Sequence, residues 1–156
     1  MRPARRALAI AMLVALGAGG GACSRFVILH DPLSAEEHND LGVAYESAGR
    51  LDLAKREYKR ALRLDSGLTI ARINLGNVEA ESGRWSAAED HYRRALRAAP
   101  GNHHAMNNLA WVLYRQDRKL DEAEQLARRA MDTAGGSDTT YARTLEAIVE
   151  ARTRRR

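Results

Sequence analysis

Cysteine is the first thing this sequence lacks: Cys23 is the only one in 156 residues, so no internal disulfide can staple the fold. Metal-ligand spacing is missing too. Histidines stand at 30, 38, 91, 103 and 104, with no His-x-x-x-His pair and no cysteine pair. His103 and His104 are neighbours at a predicted helix start and should point in different directions, a poor chelate. There is no glycine-rich phosphate loop, and Ser34 and Ser86 are accounted for as helix caps, so no catalytic triad can be assembled. The expectation is a protein without enzymatic activity, metal or cofactor. A small metal-dependent enzyme is the reading with least support.

A basic face is lacking as well, although the totals suggest one. The formal charge is +5, from 25 basic and 20 acidic residues. Arg2, Arg5 and Arg6 lie in an acid-free stretch over residues 1–22, and without them 22 bases face 20 acids. Setting aside Arg152 and Arg154–Arg156 as a solvated tail leaves 18 against 20. The part expected to fold is near neutral, which argues against nucleic acid as a partner.

No apolar run is long enough to cross a membrane comfortably. Ala7 to Leu16 is about half of the ~20 residues a spanning helix needs. Preceded by three arginines and followed by the small residues Gly17 to Ala22, it reads as a secretory leader, residues 1–22. Cys23 follows Gly20-Gly21-Ala22 directly. That placement resembles the lipobox of bacterial lipoproteins, with Gly20 where an aliphatic residue is usual. The resemblance implies diacylglycerol on Cys23 and export to a bacterial membrane, with the periplasmic side of the outer membrane as the expected address. Residues 23–33 would be the tether.

What the chain has is a repeat. Shifted by 34 residues, Leu41-Gly42 falls on Leu75-Gly76 and then on Leu109-Ala110, while Ala54, Tyr58 and Ala61 fall on Ala88, Tyr92 and Ala95. Ala123 and Ala130 continue the series at 35, because one extra residue enters the turn around Gln116 to Lys119. Such a period marks stacked helical hairpins. Turns are predicted at Gly49-Arg50 and Gly83-Arg84. Caps are predicted at Ser34 with Glu37, Ser86 with Glu89, Asn102, and Asp121 with Glu124. Trp85 aligns with Leu51 and Leu120, as a core plug would. Gly42 and Gly76 each cost a helix about 1 kcal/mol against alanine, which makes sense where a second helix approaches closely. Ala110 at the matching site of the third unit implies that Gly76→Ala is mild.

These positions resemble the tetratricopeptide repeat: Leu-Gly on a first helix, Ala-x-x-x-aromatic on a second, and a closing proline at Pro100. The likeness covers residues 34–133. It implies an all-α, short right-handed solenoid over residues 34–153. Its repeats would run about 34–66, 67–100 and 102–134, with a capping helix over 138–153. Tyr141, Leu145, Ile148 and Val149 supply the cap's apolar face.

Helical spacing places a second stripe beside the core on each first helix: Asn39, Val43 and Glu46; Ile73, Asn77 and Ala80; Asn107, Trp111 and Tyr114. Asn74 and Asn108 adjoin it. By the resemblance this stripe lines the concave surface that receives another protein or an extended peptide. Asparagine can both donate to and accept from a peptide backbone, and Trp111 and Tyr114 offer rigid apolar area. Asn39, His104 and Asn108 occupy positions where some family members carry a basic clamp for C-terminal carboxylates, so that clamp is not expected. A lipid-anchored adaptor of this kind resembles the pilotin-type lipoproteins of type IV pilus assembly. The phrase HDPLSAEEHNDLGVAYE also resembles the lead-in to repeats in some secreted proteins with papain-like peptidase domains. It suggests, as an alternative, an accessory subunit or inhibitor of such a peptidase.

Overall fold

A computed structural model describes residues 31–136 and 139–155. The proposed leader, Cys23 and most of the tether lie outside the described residues. Pro32–Arg156 form one compact unit. It contains seven helices: α1 (Ala35–Ser47), α2 (Leu51–Leu64), α3 (Thr69–Glu81), α4 (Trp85–Ala98), α5 (His103–Arg115), α6 (Leu120–Thr133) and α7 (Thr139–Thr153), with no strand among the described residues. Consecutive helices pair as hairpins α1/α2, α3/α4 and α5/α6. Each second helix also packs on the next first helix, and α1, α3, α5 and α7 touch in succession. The α7 helix therefore stands where the first helix of a fourth unit would. This is the right-handed solenoid of three hairpins and a cap.

The two glycine–tyrosine pairs explain how the hairpins close. Tyr58 and Tyr92 are almost wholly buried. A Cβ on Gly42 would stand 2.4 Å from Tyr58 Cε1, and one on Gly76 2.6 Å from Tyr92 Cε1. The expectation that Gly76→Ala is mild is thereby overturned. Ala110 is tolerated in the third unit because Ala127 stands where the other hairpins carry the tyrosine. Burial pushes both phenols above their ordinary range, and in Tyr58 the neighbouring Glu46 carboxylate, which accepts its hydroxyl proton, adds to the rise.

Caps divide into two kinds. Ser34 and Glu37 form the reciprocal capping box, and Asn102 Oδ1 accepts from Ala105 N at 2.9 Å. The boxes expected at Ser86/Glu89 and Asp121/Glu124 do not form. The residues at the N-cap positions of α4 and α6 are Arg84 and Lys119, which make no side-chain cap, and Ser86 is exposed. Both glutamates are instead buried and ion-paired: Glu89 with Arg93 (3.0 Å) and Arg118, Glu124 with Arg128 and Arg152 (2.8 Å each). Inside a hairpin the turn is only three or four residues long, so the chain enters the second helix already constrained by the C-terminal closure of the first. Arg50 N and Arg84 N return to Tyr45 O and Glu79 O at 2.8 Å, with Gly49 and Gly83 left-handed. In the third turn Asp117 takes the glycine's place at φ 52°, and the extra residue, Lys119, is also left-handed at φ 51°.

Among the described residues, Arg152, Arg154 and Arg155 are not a free tail. Arg155 pairs with Asp117, and Arg152 with Asp121 (3.2 Å) and Glu124, clasping α7 to the third hairpin. Trp85 is half-buried against the core, with the Arg115 guanidinium 4.8 Å from its ring centroid.

Glu79, at the position of Tyr45 in the first unit, is buried and holds Lys55 of α2 at 2.7 Å together with Arg84. Burial pushes its carboxyl up, but hydrogen bonds from Lys55 and Arg84 outweigh that and bring it below the ordinary range. Glu89 behaves alike through Arg93 and Gln116. A folded-state pKa below the unfolded one adds stability above the unfolded value, and that stability is lost as pH falls through the folded value. Glu79→Gln is therefore expected to lower stability at pH 7 by about 1–2 kcal/mol. That is less than the ~3–5 kcal/mol of a fully buried pair, since Lys55 and Arg84 are partly exposed. Thermal melts from pH 7 down past 4.5 should show the two proteins converging. A gap that persists in acid would rule out the carboxylate's charge as its source.

Candidate functional site

The inner layer presents the stripe expected from sequence, but its members differ in depth. Val43 and Trp111 are exposed, at 42% and 37%. Asn74, Asn77, Asn108 and Tyr114 are half-buried. Asn39 and Asn107 are buried, and Ile73 is a core residue at 4% exposure, beneath the face rather than on it.

The asparagines join the repeats to one another. Asn74 Nδ2 donates to Asn39 Oδ1 at 3.0 Å, linking α3 to α1, and Asn108 Nδ2 donates to Asn77 Oδ1 at 2.9 Å, linking α5 to α3. Asn77 Oδ1 also accepts from the Tyr92 hydroxyl at 2.8 Å. These amides therefore use donors for stacking, which helical spacing alone does not reveal. At the α5 end the chain of amides runs out. Asn107 Nδ2 reaches Asn108 Oδ1 only at 3.5 Å, and the buried Asn107 Oδ1 has no hydrogen-bond partner among the described residues.

Beside that free acceptor lies a hollow of about 500 Å³ between α5 and α7. Asn107, Asn108 and Trp111 face Thr140, Arg143 and Thr144 across it. The Trp111 ring lies 5.3 Å from Tyr114, centroid to centroid, and Arg115 stands 5.6 Å from the Trp111 centroid on its way to Trp85. Both indoles are thus tied to one guanidinium, which limits the rotamers of Trp111 without covering it. The α7 residues of this hollow escape a reading of the sequence that treats α7 only as a cap. The signal is the succession of first helices, which makes the cap's inner face a continuation of the groove.

His103 and His104 converge, contrary to expectation. Both hydrogen-bond with the Tyr141 hydroxyl, at 2.9 and 2.7 Å, and their ring centroids are 4.3 Å apart. The cluster joins the start of α7 to the start of α5. Among the described residues no group of three His, Cys, Asp or Glu side chains is placed to hold a metal ion.

Comparison with known proteins places this architecture in its class. Two family profiles, each described as Tetratricopeptide repeat, match residues 38–101 and 73–138. The chain belongs to the tetratricopeptide repeat family, whose members serve as protein-interaction scaffolds. Among solved structures it is similar to the first such domain of Spaghetti (RPAP3) bound to an HSP90 peptide SRMEEVD. The TM-score is 0.73 at 18% identity, covering 81% of this chain and 98% of that one. It is also similar to the Sgt2 domain from Aspergillus fumigatus, with a TM-score of 0.71 at 18% identity, covering 77% and 82%. The first domain of human RPAP3 gives a TM-score of 0.73 at 18% identity, covering 80% and 96%. No curated protein matches. At these identities the likeness speaks for the fold alone.

Proposed function

We propose that this protein is a non-catalytic adaptor, exported and held at a bacterial envelope membrane by lipid on Cys23, that receives an extended segment of another protein along its inner face. The observation that carries the reading is the inner stripe from Val43 to Trp111, ending in an open hollow between α5 and α7. Exposed indole on a polar, pre-ordered face suits an interface anchor. A neighbour of similar architecture carries a bound peptide, which supports a peptide segment as the ligand. The Arg-rich start, apolar run and Gly-Gly-Ala-Cys junction support the address. Assembly of an envelope machine such as type IV pili is the role in which an anchored adaptor of this kind fits.

Two experiments test the two halves. Photo-crosslinking residues introduced at Val43, on the inner face, and at Lys59, an exposed position on α2, should capture different things in cells. A defined adduct from position 43 and none from 59 is the expected result, and adducts from 59 alone would sink the groove. Cys23→Ser should shift the protein from the membrane fraction to the soluble periplasm or leave an uncleaved precursor. Unchanged size together with unchanged membrane retention would remove the anchor from the proposal.

A further inference from the structure

The solenoid has two edges, and its charge is divided unequally between them. Each hairpin turns at one edge, so the opposite edge carries the ends of α2, α4 and α6 and the starts of α1, α3, α5 and α7. The chain from Cys23 enters the fold there, at Ser34. We infer that this edge docks on a membrane surface, with Arg63, Arg94 and Arg97 on the phosphates of anionic headgroups and Leu64 and Ile70 set among those headgroups. Which membrane it meets rests on the lipid proposed at Cys23; the docking chemistry does not.

Charge, apolar exposure and chain entry coincide on that edge. Arg63 and Arg97 are repeat equivalents in the last turns of α2 and α4, and Arg94 stands one turn before Arg97. All three are exposed and make no ion pair among the described residues. At the edge of the turns, by contrast, Arg84, Arg118 and Arg155 pair with Glu79, Glu89 and Asp117. Arg72, early in α3, joins the group: burial, and then the charges of Arg94 and Arg97, hold its guanidinium below the ordinary range. A helix C-terminus favours a cation in its last turn, which accounts for Arg63 and Arg97 one at a time. It does not account for Arg72 and Arg94 gathered with them, and like charges crowded together are relieved by an external anion. The acids of this edge mostly flank the group, with Asp31, Glu36 and Glu37 before it and Asp132 after it; Asp65 lies between, its carboxylate accepting from Gly67 N at 2.8 Å. The near-neutral total, from which no basic face was expected, is therefore a sum over two unlike edges.

Leu64 and Ile70 are the two most exposed large apolar side chains among the described residues, at 56% and 50%. They bracket the loop between α2 and α3, Leu64 beside Arg63 and Ile70 two residues before Arg72. Aliphatic side chains rimmed by arginine suit the boundary between headgroups and acyl chains, where the apolar part leaves water and the cation stays with phosphate. Chain entry favours a membrane over nucleic acid as the source of that phosphate. Residues 23–33 span at most about 40 Å when fully extended, so with Cys23 in a bilayer this edge is held close to its surface.

The test uses the full chain carrying Cys23→Ser, so that no acyl chain on the protein contributes, with Ile70→Cys labelled by an environment-sensitive dye. It is mixed with vesicles containing nitroxide lipid in phosphatidylcholine, with or without phosphatidylglycerol. The leader stays on the chain in every arm, so differences among the arginine variants belong to the edge. The label should be quenched in the anionic vesicles far more than in the neutral ones, and salt should weaken the quenching. A label at Ser86→Cys, exposed near the edge of the turns, should stay unquenched in both. The ratio of quenched to unquenched label at 70 should fall about fivefold for each of Arg63, Arg94 and Arg97 replaced by glutamine. These side chains are exposed and unpaired, so the variants should melt with the wild type; Arg72, which donates to Ser66 O, is left in place. Arg56→Gln, an exposed arginine in the first half of α2, is the charge-matched control and should leave the ratio unchanged.

A label at 70 that stays unquenched in anionic vesicles would overturn the docking and leave the anchor standing, since the anchor is read from Cys23→Ser in cells. Equal quenching in both kinds of vesicle, or quenching that ignores the three arginines, would overturn the headgroup assignment. Quenching at 86 equal to that at 70 would mean that the chain meets the bilayer without a preferred edge, which also overturns it. A dye response to RNA where vesicles give none would hand the arginines to nucleic acid and remove the membrane from the inference.

Discussion

Gly76→Leu is expected to unfold the solenoid rather than merely weaken it. The first atom of any side chain at 76 would sit 2.6 Å from Tyr92 Cε1 and 3.0 Å from its Cδ1 and Cζ. The ring cannot swing away, because it is 2% exposed and its hydroxyl is bonded to Asn77. Overpacking a closed core costs about 1–3 kcal/mol for a methylene or two. Leucine adds three more carbons in the same direction, so a loss above ~3 kcal/mol is expected. Three hairpins and a cap are close to the smallest stable stack, so the loss should spread to the neighbouring units. Gly76→Ala sets about 1 kcal/mol of gained helix propensity against the same clash and should come out destabilising by about 1 kcal/mol. Ala110→Gly, with no tyrosine opposite, should cost only the propensity, about 1 kcal/mol. Thermal unfolding followed by circular dichroism should set Gly76→Leu well apart from the two milder variants. A Gly76→Leu protein melting with the wild type would mean that Tyr92 does not close on Gly76.

Trp111→Ala is expected to separate binding from folding. Its indole is 37% exposed, and its contacts are the surface groups Tyr114 and Arg115. Truncation should therefore leave helix content near wild type while weakening the bound segment by about 2 kcal/mol or more. A Trp85→Phe background isolates the signal, since Trp85 is half-buried against the core. Fluorescence from Trp111 in that background should be quenched readily by solvent additives, and should change on binding. Asn74→Ala and Asn108→Ala should behave otherwise. Each removes an inter-repeat hydrogen bond, so each should cost on the order of 1 kcal/mol of stability before any effect on binding is read. Loss of the fold in Trp111→Ala, with no separable binding defect, would make the indole a core residue and move the partner elsewhere.

The sequence by itself determined the number of hairpins, their order and most of what is buried. Each of these is written in a single repeated period. Leu75, Ala88, Tyr92 and Ala95 must face inward wherever the helices go, because helical spacing and apolar character allow no other face. Ser34 and Asn102 were legible as caps for the same local reason: each begins a helix after a loop, where backbone N–H groups lack partners.

Only the tertiary structure decided matters that depend on distance between helices. Ser86 resembles a cap in sequence, yet the preceding helix already fixes that turn. Gly76 and Ala110 look equivalent until Tyr92 is seen opposite one and Ala127 opposite the other. His103 and His104 meet because Tyr141, 38 and 37 residues away, draws both rings to one hydroxyl. The asparagines bond across repeats, and Arg143 faces Asn107 over a hollow that exists only because α7 occupies the place of a fourth first helix. Periodicity reports which face of a helix is apolar. It carries no information on which polar group from a distant helix arrives at that face, and in this protein the candidate site is made of such arrivals.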